Sequence, residues 1–175
     1  MNENEHLLDS LSDKQKIEMF RKNWTSHDGR WQKAVVQEFG WVKGNKLNKE
    51  VTYEFGKVIM YRMMNALGIS KVKNMDEFLK IYNSVIKFHF LPPNTVYDLK
   101  KQSDSSLIAY VRNCFSYVGV KKVGATKLYE CPCFKMRAGF YDALGIDVEE
   151  KPIKRLMNGD DCCEIVFNIN NWSKE

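Results

Sequence analysis

The chain has 175 residues, of which 44% are hydrophobic and 28% charged, the composition of an ordinary globular domain; a disordered or fibrous chain is excluded, and a core large enough to fold without a disulfide or a metal is expected. The net charge of +5 is spread along the sequence, and its densest runs, 43–49 and 121–127, are each broken by a glycine, so nucleic acid is not an expected partner. Residues 1–9 are acidic and polar, unlike a signal peptide, and no apolar run approaches the roughly 20 residues of a membrane span, so a cytoplasmic protein without a membrane partner is expected.

Ser12-Asp13-Lys14-Gln15 has the form of a capping box and opens a helix over 13–24, with Ile17, Phe20 and Trp24 at helical spacing. Asp28 then reads as the N-cap of a second helix through Trp31, Val35 and Phe39, closed by Gly40. Leu47, Val51, Phe55, Val58, Ile59, Met63 and Ala66 form the stripe of a third, which ends at Gly68. A fourth runs from 75 to about 88 with Phe78, Ile81, Tyr82 and Val85, and Pro92-Pro93 forbids its continuation.

Beyond the prolines the period falls toward two. Val96, Tyr97 and Leu99 mark one strand, Leu107, Ile108, Tyr110 and Val111 the next, and polar Gln102 to Ser106 the turn between them. A helix returns over 131–144, with Cys133, Met136, Arg137, Phe140 and Leu144 on one face and Gly145 closing it. Strands at 148–157 and 162–169 flank Asn158-Gly159-Asp160-Asp161, which is strong turn chemistry for a hairpin. The two Ala-Leu-Gly-Ile quartets, at 66–69 and 143–146, are two helix ends of the same local type and need no duplication. Helices first and strands later describe one α+β domain over 1–175, with a helical part over about 12–90 and an antiparallel sheet within about 94–170.

Two clusters could carry chemistry. His27-Asp28-Gly29-Arg30-Trp31, with Trp24 before it, brings an imidazole, a carboxylate, a guanidinium and two indoles to a helix junction; the same residues also read as a cap, a tight entry and core tryptophans. Five cysteines, an odd number, fit thiols or ligands better than a disulfide framework. Cys131-Pro132-Cys133, with Cys114 upstream and Cys163 downstream, leaves three readings open. Zinc is one, although two thiolates separated by a single residue depart from the usual spacing of two to four. A functional thiol is another, since Cys133 falls in the first turn of its helix, where backbone N–H groups favour a thiolate. Small buried hydrophobes are the third. Arg112 and Arg137 are each placed to fork onto a carboxylate or phosphate, or to make a surface ion pair. No P-loop, dinucleotide fingerprint, HExxH or GxSxG is present, which removes the best-marked nucleotide, zinc-protease and serine-hydrolase classes.

The run Met136-Arg137-Ala138-Gly139-Phe140-Tyr141-Asp142-Ala143-Leu144-Gly145, a strand, then Asn158-Gly159-Asp160-Asp161-Cys162-Cys163-Glu164-Ile165-Val166-Phe167 resembles the closing helix, strand and cysteine-containing strand of the 4-vinyl reductase-type ligand-binding domains, and of proteins described as L-2-amino-thiazoline-4-carboxylic acid hydrolases. Asn23-Trp24 and the His-Asp-Gly-Arg-Trp run, with Asn45 and Asn48, are similar to an uncharacterised bacterial and archaeal branch of that group. The resemblance implies helices packed on a twisted antiparallel sheet, a pocket between them and a homodimer. By matched position it marks His27, Asp28, Trp31, Cys114, Cys131, Cys133 and Cys163, with a zinc held by Cys114, Cys131, Cys133 and Cys163 as one implied role.

Two functions are expected from these residues. In the first, a sensor or carrier binds a small molecule in a pocket lined by Trp24, Trp31, Phe140 and Tyr141 and oriented by His27, Asp28, Arg112 and Arg137. In the second, a hydrolase of the cyclic amidine or amide type uses Cys133 as nucleophile, His27 with Asp28 as general base, and Arg112 or Arg137 to hold the substrate carboxylate.

Overall fold

The computed structural model describes residues 7–90, 92 and 95–173, so residues 1–6 and Pro93, on which parts of the sequence reading rest, lie outside the described residues. After a short 3₁₀ turn at Leu7–Ser10, helix α1 runs Asp13–Leu67 and α2 Met75–His89. Strands β1 (Thr95–Lys101) and β2 (Ser106–Cys114) follow, then α3 (Phe115–Lys122), α4 (Cys133–Leu144), β3 (Asp147–Lys154) and β4 (Cys163–Asn171). The four strands form one antiparallel sheet in the order β1-β2-β4-β3, giving an α+β fold whose two hairpins are joined through β2 and β4.

The capping box forms: the Ser12 backbone N–H donates to Gln15 Oε1 at 2.8 Å, and the Gln15 N–H donates to Ser12 Oγ at 3.3 Å. No second helix restarts at Asp28. The helix passes through it, because Trp24 stacks on Phe55 at 5.1 Å between ring centroids and carries this stretch against the rest of the molecule, and such contacts override a local capping preference. The break comes at Gly40, where φ is +77° and ψ 170°, a backbone state open to glycine. After it the apolar stripe is rotated from the expected one. Leu47, Val51 and Val58 are exposed, while Gly44, Asn45, Gly56, Ile59, Met60 and Met64 are buried.

The rotation has a backbone cause. At Gly56 a Cβ would clash with the Met136 carbonyl oxygen, and at Gly139 with the Tyr53 carbonyl oxygen, so α1 and α4 touch main chain to main chain. Gly68 ends α1 in the left-handed conformation, with the Ile69 N–H bonded to the Met64 carbonyl at 2.9 Å, as a Schellman ending requires. α2 is capped by Asn74, whose side chain accepts from the Glu77 N–H at 3.0 Å, and it buries the expected Phe78, Ile81, Tyr82 and Val85.

Phe78, Tyr82, Phe140 and Phe167 meet at the centre, with Tyr82 edge-on to Phe140 and Phe167 at 5.8 and 6.2 Å. On β4 the expected alternation places Ile165, Phe167 and Ile169 in this core. The expected strand over 148–157 ends instead at Lys154, because a 3₁₀ turn at Leu156–Asn158 leads into the expected turn at 158–161, where Gly159 takes the left-handed position with φ +96°. α3 was not anticipated; it buries none of its residues, so its sequence carries no apolar stripe to mark it.

Candidate functional site: a thiol-lined cavity

Between α2, the sheet and the first turn of α4 lies a cavity of about 550 Å³. Its sheet side is formed by Thr95 and Tyr97 of β1, Val111 and Cys114 of β2, and Cys163 and Ile165 of β4. Tyr82 and Ile86 of α2 line it, as do Cys131 just before α4 and Cys133, Met136 and Arg137 at its start, with Thr126, Lys127, Tyr129, Glu130 and Arg155 among the rest of the wall. The segment before α4 is fixed by Asn45, a 3%-exposed amide: its Nδ2 donates to the Leu128 carbonyl at 2.8 Å, and its Oδ1 accepts from the Glu130 N–H at 3.1 Å. An ion pair between Lys49 and Glu130 adds to this clamp.

Arg137 is 3% exposed and held by a two-pronged ion pair with Glu150, Nε and Nη2 donating at 2.6 and 2.7 Å. The Tyr141 hydroxyl donates to the same carboxylate at 2.5 Å, and the guanidinium lies over Phe134 and Phe167. The inward register of β3 is what aims Glu150 at the α4 helix.

The two cysteines of the Cys-Pro-Cys run differ sharply. Cys131 is drawn down to about 6 by the neighbouring Cys133 side chain, against the cost of burial, with the Cys133 backbone N–H, Arg137 and Arg155 acting in the same direction. Cys133, beside Cys131 and buried, is pushed well above the ordinary thiol range. The two thiols titrate as one pair, shifted down at Cys131 and up at Cys133, the expected nucleophile. Cys114 and Cys163 are raised by burial. The four cysteines line one cavity, but among the described residues no three His, Cys, Asp or Glu side chains are arranged to hold a metal, so the expected zinc set is not assembled here.

A smaller pocket of about 130 Å³ adjoins the cavity across Cys133 and is lined by Trp24, Asp28, Asn48, Thr52 and Phe55, among others. Asp28 is raised by burial there, partly offset by His27. Of the expected site residues, then, Arg137 and the cysteines reach the cavity, and Trp24 and Asp28 the side pocket that shares Cys133. His27 is exposed on α1 and lines neither, so the expected meeting of His27 with Cys133 does not occur. Trp31 is 59% exposed. Arg112 lies over the Tyr110 ring and 3.9 Å from Asp98, away from the cavity wall. Phe140 and Tyr141 are core residues, the second a partner of Glu150.

Thr95 and Glu150 were not singled out by the sequence reading, which placed Tyr97 only as a strand residue and Asn45 only within the resemblance; Glu150 is detectable as an acidic residue in register with Val148 and Pro152 on the inward side of β3.

An α+β domain with an apolar, thiol-bearing cavity between helices and sheet is the class these features define. Residues 8–156 match a family of unknown function, DUF6125, and the chain belongs to that family. No curated protein matches the sequence. Among solved structures, the chain is similar to a trafficking protein particle complex subunit 3 from Naegleria fowleri, covalently bound to palmitic acid, with a TM-score of 0.58 at 16% identity over 93% of this chain and 100% of that one. This likeness is one of fold. No helix among the described residues is long and apolar enough to cross a membrane.

Proposed function

We propose that this protein is a small-molecule carrier or sensor of the 4-vinyl reductase-like type, whose ligand is long and largely apolar and occupies the cavity between α2, α4 and the sheet. The observation that carries the reading is the cavity itself: about 550 Å³, within the ~300–1,000 Å³ of small-molecule sites, with a wall mainly of aromatic, aliphatic and sulfur-containing side chains and a charged part made by Lys49, Lys127, Glu130, Arg137 and Arg155. That a protein of the same fold is described with palmitic acid covalently bound supports an acyl chain as the ligand class. The protein works in the cytoplasm as a homodimer; the exposed Phe20, Trp31 and Phe39 of α1 supply apolar surface for the second copy.

The test is native mass spectrometry of freshly purified protein, with organic extraction of any bound mass, followed by titration with a fluorescent fatty acid. Saturable binding at one site per chain, abolished when Ile86→Trp fills the cavity in a variant that still folds, is expected. Binding indifferent to that substitution overturns the reading. The same spectra report subunit number.

A second reading, a hydrolase, is favoured by one observation: the thiolate character of Cys131 beside Arg137 and Arg155. It makes Cys131 the nucleophile and leaves His27 out of the chemistry. Turnover of a cyclic amidine by the wild type, lost in Cys131→Ser while fatty-acid binding persists, would favour it.

A further inference from the structure

Thr95 opens β1 opposite Cys114 of β2. The register slips between Thr95 and Val96, because Cys114 and Arg112 face those two neighbours and Asn113 is the extra residue between them. Asn113 adopts φ +48°, a left-handed conformation that asparagine tolerates better than most residues. The bulge changes the parity of β2, so that Val111 and Cys114, three residues apart, both line the cavity beside Thr95. A strand that bends its backbone at the cavity wall is aiming side chains there.

What it aims is a hydroxyl with nothing to bind. Thr95 is 5% exposed, lines the cavity, and its Oγ1 has no hydrogen-bond partner among the described residues. Two residues along the same face of β1, Tyr97 has its hydroxyl paired with that of Tyr82 at 2.9 Å, so the neighbouring polar group is satisfied and this one is not. An unpaired buried hydroxyl works against folding, and valine would fill the same space without it.

We infer that Thr95 is the polar anchor of the cavity, its hydroxyl donating a hydrogen bond to a carbonyl oxygen on an otherwise apolar ligand. The inference rests on the cavity reading above and adds the ligand's functional group. A threonine hydroxyl can donate or accept, and the surroundings choose between the two. Arg137 and Arg155 line the same cavity and favour an acceptor on the ligand over an ammonium group. Lys49 and Lys127 add to that positive set against one carboxylate, Glu130, so the acceptor is the carbonyl oxygen of an acyl chain, whether acid, ester, thioester or ketone, and an uncharged ketone isolates the hydroxyl's part from that of the charges.

The experiment uses two uncharged probes of equal chain length, methyl undecyl ketone and tridecane, delivered from cyclodextrin and read by displacement of a fluorescent fatty acid. The wild type should prefer the ketone by about five- to tenfold, the reach of one hydrogen bond. In Thr95→Val the preference should vanish while tridecane binds as well as before. The ligand-free Thr95→Val protein should also melt about 2–4 °C higher, since an unpaired buried group has been removed. Equal binding of both probes by the wild type, or a ketone preference that survives Thr95→Val, overturns the inference and leaves the cavity reading standing. A lower melting temperature for Thr95→Val overturns it too, since the hydroxyl would then be satisfied by trapped water. Failure of both probes to bind removes the cavity reading and the anchor with it.

Discussion

Cys131 and Cys133 sit two residues apart and titrate as a pair, Cys131 drawn down and Cys133 pushed up. Iodoacetamide at neutral pH should therefore alkylate Cys131 ahead of the other four cysteines, as read by peptide mass spectrometry. Cys133→Ala removes the side chain that does most to draw Cys131 down, and alkylation of Cys131 at pH 6 should then slow several-fold. His89 gives a residue-scale prediction of a different kind. Packed among Trp24, Phe55 and Phe90, it is lowered to about 4 by burial and, in lesser part, by Arg21. Its proton is bound more tightly by the unfolded chain than by the folded one. Stability from this group is thus fully present above about pH 6.5 and is lost as the pH falls toward 4, by an amount of up to ~3 kcal/mol. Urea titrations across that range should show the loss in the wild type and a flatter profile in His89→Phe.

At the scale of elements, the crossing of α1 and α4 depends on two glycines, each facing the other helix's main chain. Gly56→Ala or Gly139→Ala must push the helices apart, and each should destabilise by about 3 kcal/mol in chemical unfolding. Gly29 is the internal control. It lies within α1 with open space around it, so Gly29→Ala should stabilise by ~0.5–1 kcal/mol through helix propensity alone. These contrasts also explain what the sequence could and could not reveal. α2, β2 and β4 were legible because each buries one face and its apolar residues keep the period of that face. α1 was legible in its ends, at Ser12 and Gly68, and in its break at Gly40, and its buried face in part: Phe55, Ile59 and Met63 of the expected stripe pack on the core, while Gly44 and Gly56 extend that face without a hydrophobic signal. Trp24 pinned to Phe55 carried the helix through Asp28, and no local pattern encodes a contact between residues so far apart.

For the molecule as a whole, the cavity is assembled from α2, three strands and the approach to α4, so its chemistry was only partly readable in advance. Arg137 and the Cys-Pro-Cys run stood out by residue type. Thr95, by contrast, is an unremarkable letter whose meaning comes from an absent partner, and Asn45 one whose meaning comes from a segment more than eighty residues away. Asn45 also bears on time as well as shape. The segment from Thr126 to Glu130 is fastened to α1 by two hydrogen bonds through one amide, by the Lys49–Glu130 ion pair and by Trp41 edge-on to Tyr129. Cutting the two hydrogen bonds in Asn45→Ala should raise the entry and exit rates of a fatty acid together in stopped-flow traces, while the equilibrium constant changes little. Residence time and affinity are then separate quantities in this protein, one set by a latch on α1 and the other by the chamber behind it.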